Sequence, residues 1–295
     1  MYDMEQYYQA TSVADAIAAL GADPAAMPIA GGTDVLIQTR EGRHAGCHLV
    51  SLHGLSELSA IREEEDGTLV IGSRCTFSEI TNSPLLRPHI NMLCQAVDQV
   101  GSPQIRNMGT IGGNVCNGVT SADSAPSLMA LNAVLEVQGP NGKRLIPIGE
   151  WYAGPGKTVR QHDEVLTAVR IARENYEGFG GHYIKYGKRE AMEISTLGCA
   201  VQVKLSADKR TVEDLRIAFG VAAPTPVRCP KTEAMAVGRT VDEALVKELG
   251  QSVLTEINPR DSWRASKAFR LQIAKEICRR AFRQAVAFAG GEIHA

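Results

Sequence analysis

The run Thr110-Ile111-Gly112-Gly113-Asn114, continued by Asn117-Gly118 and Ser121-Ala122-Asp123-Ser124, decides how this chain is read. Adjacent glycines lack Cβ atoms, so the backbone can approach another group closely and aim successive N–H groups at an anion. Thr110 and Asn114 add side-chain donors, and Asp123 is an acceptor suited to ribose hydroxyls. Upstream lies a second run of the same kind, Ala30-Gly31-Gly32-Thr33-Asp34. A lone Gly-Gly pair also reads as a tight turn between two elements. Two such clusters read as a phosphate-bearing cofactor gripped from both sides, by backbone amides that need no basic side chain.

Other ligand motifs fail on spacing. No G-x-G-x-x-G occurs, which removes the Rossmann dinucleotide reading. Gly154-Pro155-Gly156-Lys157-Thr158 ends like a P-loop, but the required first glycine falls at Trp151, so a surface turn is expected. There is no G-x-S-x-G elbow. His44 and His48 have the one metal-like spacing, yet Gly46 between them opposes a shared helix face, and a loop-to-strand passage is expected. The seven cysteines are scattered, with no C-x-x-C pair, and read as small buried apolar residues. Cys116 is the one beside a glycine cluster.

Composition bounds the rest. A chain of 295 residues supports about two domains. A net charge of −2 gives no footprint for nucleic acid. No apolar run approaches membrane-spanning length. The start, Met-Tyr-Asp-Met-Glu-Gln, lacks the features of a signal peptide, so a cytoplasmic location is expected.

Local signals place the clusters among regular elements. Ser12 caps an Ala-rich helix expected to end in a left-handed turn at Gly21. Met27 to Ala30 is a strand running into Gly31, and a helix is expected from Val35. Strands are expected at 48–52 and 68–71. Thr76-Phe77-Ser78-Glu79 is a capping box. Residues 84–100 have helical periodicity. Gly139-Pro140-Asn141-Gly142 marks a hairpin, and 164–171 a strand. The glycine-bearing segment 174–181 is the candidate domain boundary. Strands follow at 183–186, 197–205 and 214–219, with a turn at 206–208. Helices are then expected over 241–257 and 266–288. Arg279, Arg280 and Arg283 read as a solvated face or a partner surface, and Trp263 as an anchor for a core or an interface.

The pairing of the two glycine clusters with Asp123 resembles the FAD-binding subunits of the molybdenum hydroxylases, a family that includes xanthine dehydrogenase, carbon monoxide dehydrogenase and aldehyde oxidases. The resemblance runs nearly the whole chain. Phe219 to Pro226 and Ser262 to Lys267 look most like the separate FAD subunit of bacterial xanthine dehydrogenases. The implied fold class is α+β. It comprises a vanillyl-alcohol-oxidase-like (PCMH-type) FAD domain of two α+β subdomains over 1–176, then a C-terminal domain of antiparallel sheet plus helices over 180–292.

The resemblance also implies roles. Ile29, Ala30, Gly31, Gly32, Thr33, Asp34 and Val35 would cradle the FAD pyrophosphate. Thr110, Ile111, Gly112, Gly113 and Asn114 would close on it from the other side. Asp123 would hold a ribose hydroxyl, and Leu166 and Lys185 would lie at the flavin end, although core and surface roles also suit those two. The family's aromatic residue near position 100 is here Val100. No cysteine-rich insertion marks an extra iron–sulfur cluster. The implied activity is electron transfer within a complex. A molybdenum-cofactor (molybdopterin) subunit oxidises a purine, a [2Fe–2S] subunit relays electrons, and FAD on this chain reduces NAD+. The turn at Lys157 is a candidate element for NAD+. Rival readings are another molybdenum hydroxylase, a stand-alone FAD oxidase, and a non-catalytic assembly subunit.

Overall fold

The computed structural model describes residues 3–294 and contains three main sheets with helices packed between and over them. The N-terminal layer comprises β1 (Met4–Gln9), α1 (Val13–Ala22), β2 (Ala26–Ile29), α2 (Val35–Arg40) and β3 (Cys47–Ser51). Its strands form a parallel sheet in the order β1-β3-β2, with Leu49 of β3 opposite both Tyr7 and Met27. Ser12 caps α1 by accepting from the Asp15 amide at 3.0 Å. Gly21 does not end that helix: α1 continues to Ala22, and extended Asp23 terminates it.

The second layer holds β4 (Ile61–Glu63), β5 (Leu69–Gly72), α3 (Phe77–Asn82), α4 (Leu86–Asp98), α5 (Pro103–Met108), α6 (Ile111–Asn117) and α7 (Ser124–Ala130). It continues with β6 (Val134–Gly139), β7 (Gly142–Pro147), α8 (Ile148–Trp151), the small hairpin β8 (Tyr152–Gly154) and β9 (Lys157–Thr158), and β10 (Val165–Ile171). Five of its strands form an antiparallel sheet, β4-β5-β10-β6-β7. The capping box at α3 is complete: Thr76 Oγ1 accepts from the Glu79 amide, and Glu79 Oε2 accepts from the Thr76 amide at 2.7 Å. Periodicity over 84–100 gives α4, but Ile90 leaves helical geometry two residues after Pro88 and divides it.

The last layer comprises β11 (Phe179–Tyr186), β12 (Leu197–Leu205), β13 (Val212–Gly220), β14 (Val227–Arg228), α9 (Pro230–Ala236), α10 (Glu243–Ser252) and α11 (Lys267–Phe288). Its antiparallel sheet packs against α4 and α7 on one face and α11 on the other. Burial on both faces explains why Leu197 to Leu205 is apolar almost throughout rather than alternating. The expected boundary at 174–181 is occupied by a 3₁₀ turn and the start of β11. A Cβ on Gly180 would lie 2.2 Å from the Ala285 carbonyl oxygen, so this glycine serves close strand–helix packing. The expected helix over 241–257 stops at Ser252 and finishes in a 3₁₀ turn at Val253–Thr255.

Candidate functional site

The first glycine cluster is the loop between β2 and α2. Gly32 has φ +70°, which an L side chain rarely adopts. A Cβ on Gly31 would fall 1.8 Å from the Met108 carbonyl oxygen, so this loop runs backbone against backbone along the residues that precede Thr110. Among the described residues, the amides of 30–34 donate to no group of the protein. Five successive half-buried or exposed N–H groups without partners are what an anion would satisfy.

The second cluster takes a different form from the expected nest. Residues 111–117 are helix α6, capped by Thr110, whose Oγ1 accepts from the Gly113 amide at 3.0 Å. The other amides are also consumed. Ile111 donates to the Cys75 carbonyl, Gly112 to the Ser73 carbonyl and Asn114 to the Thr110 carbonyl. Gly112 is therefore a packing glycine: its Cβ would sit 2.6 Å from the Ser73 carbonyl oxygen. Gly113 is exposed. The Asn114 carboxamide oxygen accepts from Ser124 Oγ at 2.6 Å, which leaves its NH₂ free. Trp151, fully buried, fixes α6 from behind by donating to the Val115 carbonyl at 3.0 Å.

The clusters meet. Asn117 Nδ2, at the end of α6, donates to the Asp34 carboxylate. Ala30, Gly112, Gly113 and Leu166 line one cleft with an empty volume of about 460 Å³. Its wall includes two cations, Arg74 and Arg160, which the sequence reading did not single out. Arg160 donates to the carbonyls of Gln161, His162 and Glu164 and so shapes the turn leading into β10. Glu164 is held by Arg144 through bonds of 2.6 and 2.7 Å, and this pairing lowers its carboxyl below the usual range. A second, larger cleft lies between α1 and the five-stranded sheet, where Lys143 and Thr167 both donate to Glu136.

Asp123 and Lys185 depart from their expected separate stations. Asp123 is 5% exposed, and its oxygens accept from Lys185 Nζ and Tyr183 OH, both at 2.8 Å. That carboxylate is committed to protein donors rather than standing open to a ribose hydroxyl. Burial pushes it above the usual carboxylate range, against the pull of Lys185. Lys185 also donates to the Gln99 carbonyl at 2.8 Å. Tyr183 and Gln99 were not read from the sequence, because neither lies near a glycine cluster along the chain.

The remaining candidates resolve locally. Lys157 is exposed in the β8–β9 hairpin, where the neighbouring Gly156 amide donates to Gly118 at the end of α6. His44 bonds Gln38, and His48 bonds Asp23 at 2.5 Å. No cluster that could hold a metal occurs among the described residues. Burial raises the Cys116 thiol to about 11, so it stays protonated near neutrality. No helix of the described residues is long and apolar enough to cross a membrane. The arginines of α11 face neighbours: Arg280 pairs with Glu276 and Arg283 with Glu243.

Comparison with known proteins follows the same division of the chain. Residues 2–173 match the FAD binding domain in molybdopterin dehydrogenase, and 182–285 match the CO dehydrogenase flavoprotein C-terminal domain. The chain is 43% identical over 293 residues to the xanthine dehydrogenase FAD-binding subunit of Escherichia coli O157:H7, covering 99% of this chain and 100% of that one. It is 29% identical to the carbon monoxide dehydrogenase medium chain of Hydrogenophaga pseudoflava, covering 95% and 96%. A solved structure of carbon monoxide dehydrogenase from that organism superimposes with a TM-score of 0.92 at 28% identity, covering 97% and 99%.

Proposed function

This chain belongs to the family of FAD-binding subunits of molybdopterin dehydrogenases, and from that membership we propose that it is the flavin module of a xanthine dehydrogenase. In this reading a molybdenum subunit oxidises hypoxanthine or xanthine, and a [2Fe–2S] subunit relays the electrons to this chain. NAD+ is the final acceptor. Identity of 43% along the full chain to a xanthine dehydrogenase subunit, against 29% to a carbon monoxide dehydrogenase chain, supports the purine branch over its relatives. The FAD unit is assigned to 1–176 and the C-terminal unit to 180–292.

The observation that carries the cofactor assignment is the row of unpartnered amides at 30–34, whose first residue, Ala30, lines the cleft together with Gly112, Gly113 and Leu166. A diphosphate is a fitting acceptor for them. Residues 29–35 would hold that group, and Gly113 and the Asn114 NH₂ would face it across the cleft. Leu166, 4% exposed, offers an apolar wall to a ring system. Lys185 would present a fixed positive charge at the flavin end, with Asp123 and Tyr183 keeping the ammonium in place. FAD, when bound, supplies a carrier that takes up electrons singly and releases them in pairs. Glycine and amide groups of this chain bind and orient it.

The test is purification of the complex from native cells, followed by assay of flavin, molybdenum and iron and of xanthine-dependent NAD+ reduction. Flavin together with molybdenum, iron and xanthine-dependent NAD+ reduction supports the reading. A chain that stays colourless after soaking with FAD overturns the cofactor assignment. A complex that oxidises carbon monoxide or aldehydes but not xanthine overturns the purine assignment alone.

A further inference from the structure

The two glycine clusters are joined by a side-chain bond as well as by their backbones. Asn117 Nδ2 donates to the Asp34 carboxylate across 83 positions of sequence. Asn117 comes four residues after Gly113, so the two share one face of α6 a turn apart. Asp34 comes four residues after Ala30, at the far end of the row of unpartnered amides. Ala30 and Gly113 line the cleft. The bond therefore ties the two walls together beyond the cleft, past the amides that an anion would occupy.

Its two sides are built differently. Asn117 stands on a fixed base. Trp151 holds α6 through the Val115 carbonyl at 3.0 Å, and the Gly118 carbonyl accepts from the Gly156 amide at 2.9 Å. A Cβ on Gly118 would come within 3.1 Å of the Lys157 amide nitrogen, so the β8–β9 hairpin lies directly against that end of the helix. Asp34 stands on the lighter side, at the start of α2. Of the six residues of α2 only Thr39 is buried, and Ile37 is 44% exposed. An element with so little buried apolar surface opens at low cost.

The bond itself does little for the fold. It is exposed, and it sets a carboxylate at the C-terminal end of a helix, where the last carbonyls disfavour negative charge. The protein mass behind Asp34 raises its carboxyl above the usual range, and the Asn117 hydrogen bond opposes that shift. What the bond does is bridge the two walls of a ligand cleft, one fixed and one lightly held.

We propose that Asp34 and Asn117 form a clasp that closes over the bound cofactor and sets the rate at which it leaves, with α2 as the side that swings. This rests on the flavin-module reading. The experiment follows release of FAD from the loaded full chain, as the flavin absorbance that stays with the protein after desalting at timed intervals. Asn117→Ala and Asp34→Ala are each expected to speed release about tenfold, the kinetic equivalent of one hydrogen bond to a charged group. Both should leave the melting temperature of the FAD-free chain at the wild-type value. The double alanine variant is expected to release no faster than either single one, because the same bond is lost in all three. Asn117→Asp sets two carboxylates face to face and is expected to release faster than Asn117→Ala. The exchanged pair Asp34→Asn/Asn117→Asp again sets a donor against an acceptor and is expected to return release towards the wild-type rate. Wild-type release by Asn117→Ala overturns the proposal, as do additive effects in the double alanine variant or an exchanged pair no slower than Asn117→Asp. A wild-type chain that takes up no FAD overturns the flavin-module reading and the proposal with it.

Discussion

Lys185 Nζ lies 2.8 Å from Asp123 Oδ2, and both side chains are less than a tenth exposed. The pair joins the start of α7 to β11 across 62 positions of sequence. Removing the ammonium leaves a buried carboxylate with no cation beside it and only neutral donors such as Tyr183 OH. Lys185→Ala is expected to cost about 3–5 kcal/mol, read by denaturant unfolding of the cofactor-free chain. Lys185→Met/Asp123→Asn is expected to recover most of that loss, because no charge is then stranded. A double variant as unstable as the single one would show that the pair is not the cause.

Gly31→Ala tests the backbone contact between the two halves of the cleft. The added methyl would overlap the Met108 carbonyl, which cannot swing aside as a flexible side chain would. Loss of bound FAD is expected, visible as loss of the flavin absorbance bands, with a lower melting temperature. A yellow variant of wild-type stability would refute the close approach.

Glu164 gives a pH signature. Its carboxyl is lowered in the folded state, chiefly by Arg144, then opposed by burial. A lowered folded value means that its contribution is present above the unfolded carboxyl value of about 4.3 and is lost as pH falls through the folded one. Arg144→Met is expected to remove about 1–3 kcal/mol near neutrality, discounted because Arg144 is 40% exposed on its side chain. The stability difference from wild type should shrink on acidification below about pH 4. A difference that stays constant with pH would exclude the pair as its source.

His48 works in the opposite sense. Its hydrogen bond to Asp23 raises its value above the usual one, so its contribution is full below about 6.5 and fades as pH rises through the folded value. His48→Gln should therefore lower the melting temperature at pH 5.5 more than at pH 8.5. Equal effects at both would remove the charge from the explanation.

Lys157 is exposed, and the turn that carries it is tied to the end of α6. If its ammonium meets a phosphate of the nicotinamide cofactor, Lys157→Ala raises the KM for NAD+ several-fold and leaves kcat alone. An unchanged KM sinks that role.

Much of the fold was legible because its signals are local. Ser12 and the Thr76–Glu79 box each act within one helical turn, and the Gly139–Gly142 hairpin within four residues. Other features depend on distant partners. Gly180, inside the segment expected to hold the domain boundary, is also where α11 lies against β11 from the far end of the chain. The 241–257 periodicity continued past Ser252, but the backbone tightened into a 3₁₀ turn there. No pattern announced β1, whose residues are all exposed and whose strand forms by pairing with β3.

The site divides in the same way. By itself, the sequence determined the two glycine clusters, which follow from residue type and spacing, and its resemblance to known proteins gave the family. Only the tertiary structure decided what each cluster does. The amides at 30–34 donate to no group of the protein although the Met108 carbonyl lies against Gly31, whereas those at 111–114 are spent on capping α6 and on the Ser73–Cys75 backbone. It likewise brought Asp123 to Lys185 and left Trp263 in the open. Which donors are consumed and which faces are covered depends on what packs alongside, and that is information no window of sequence carries.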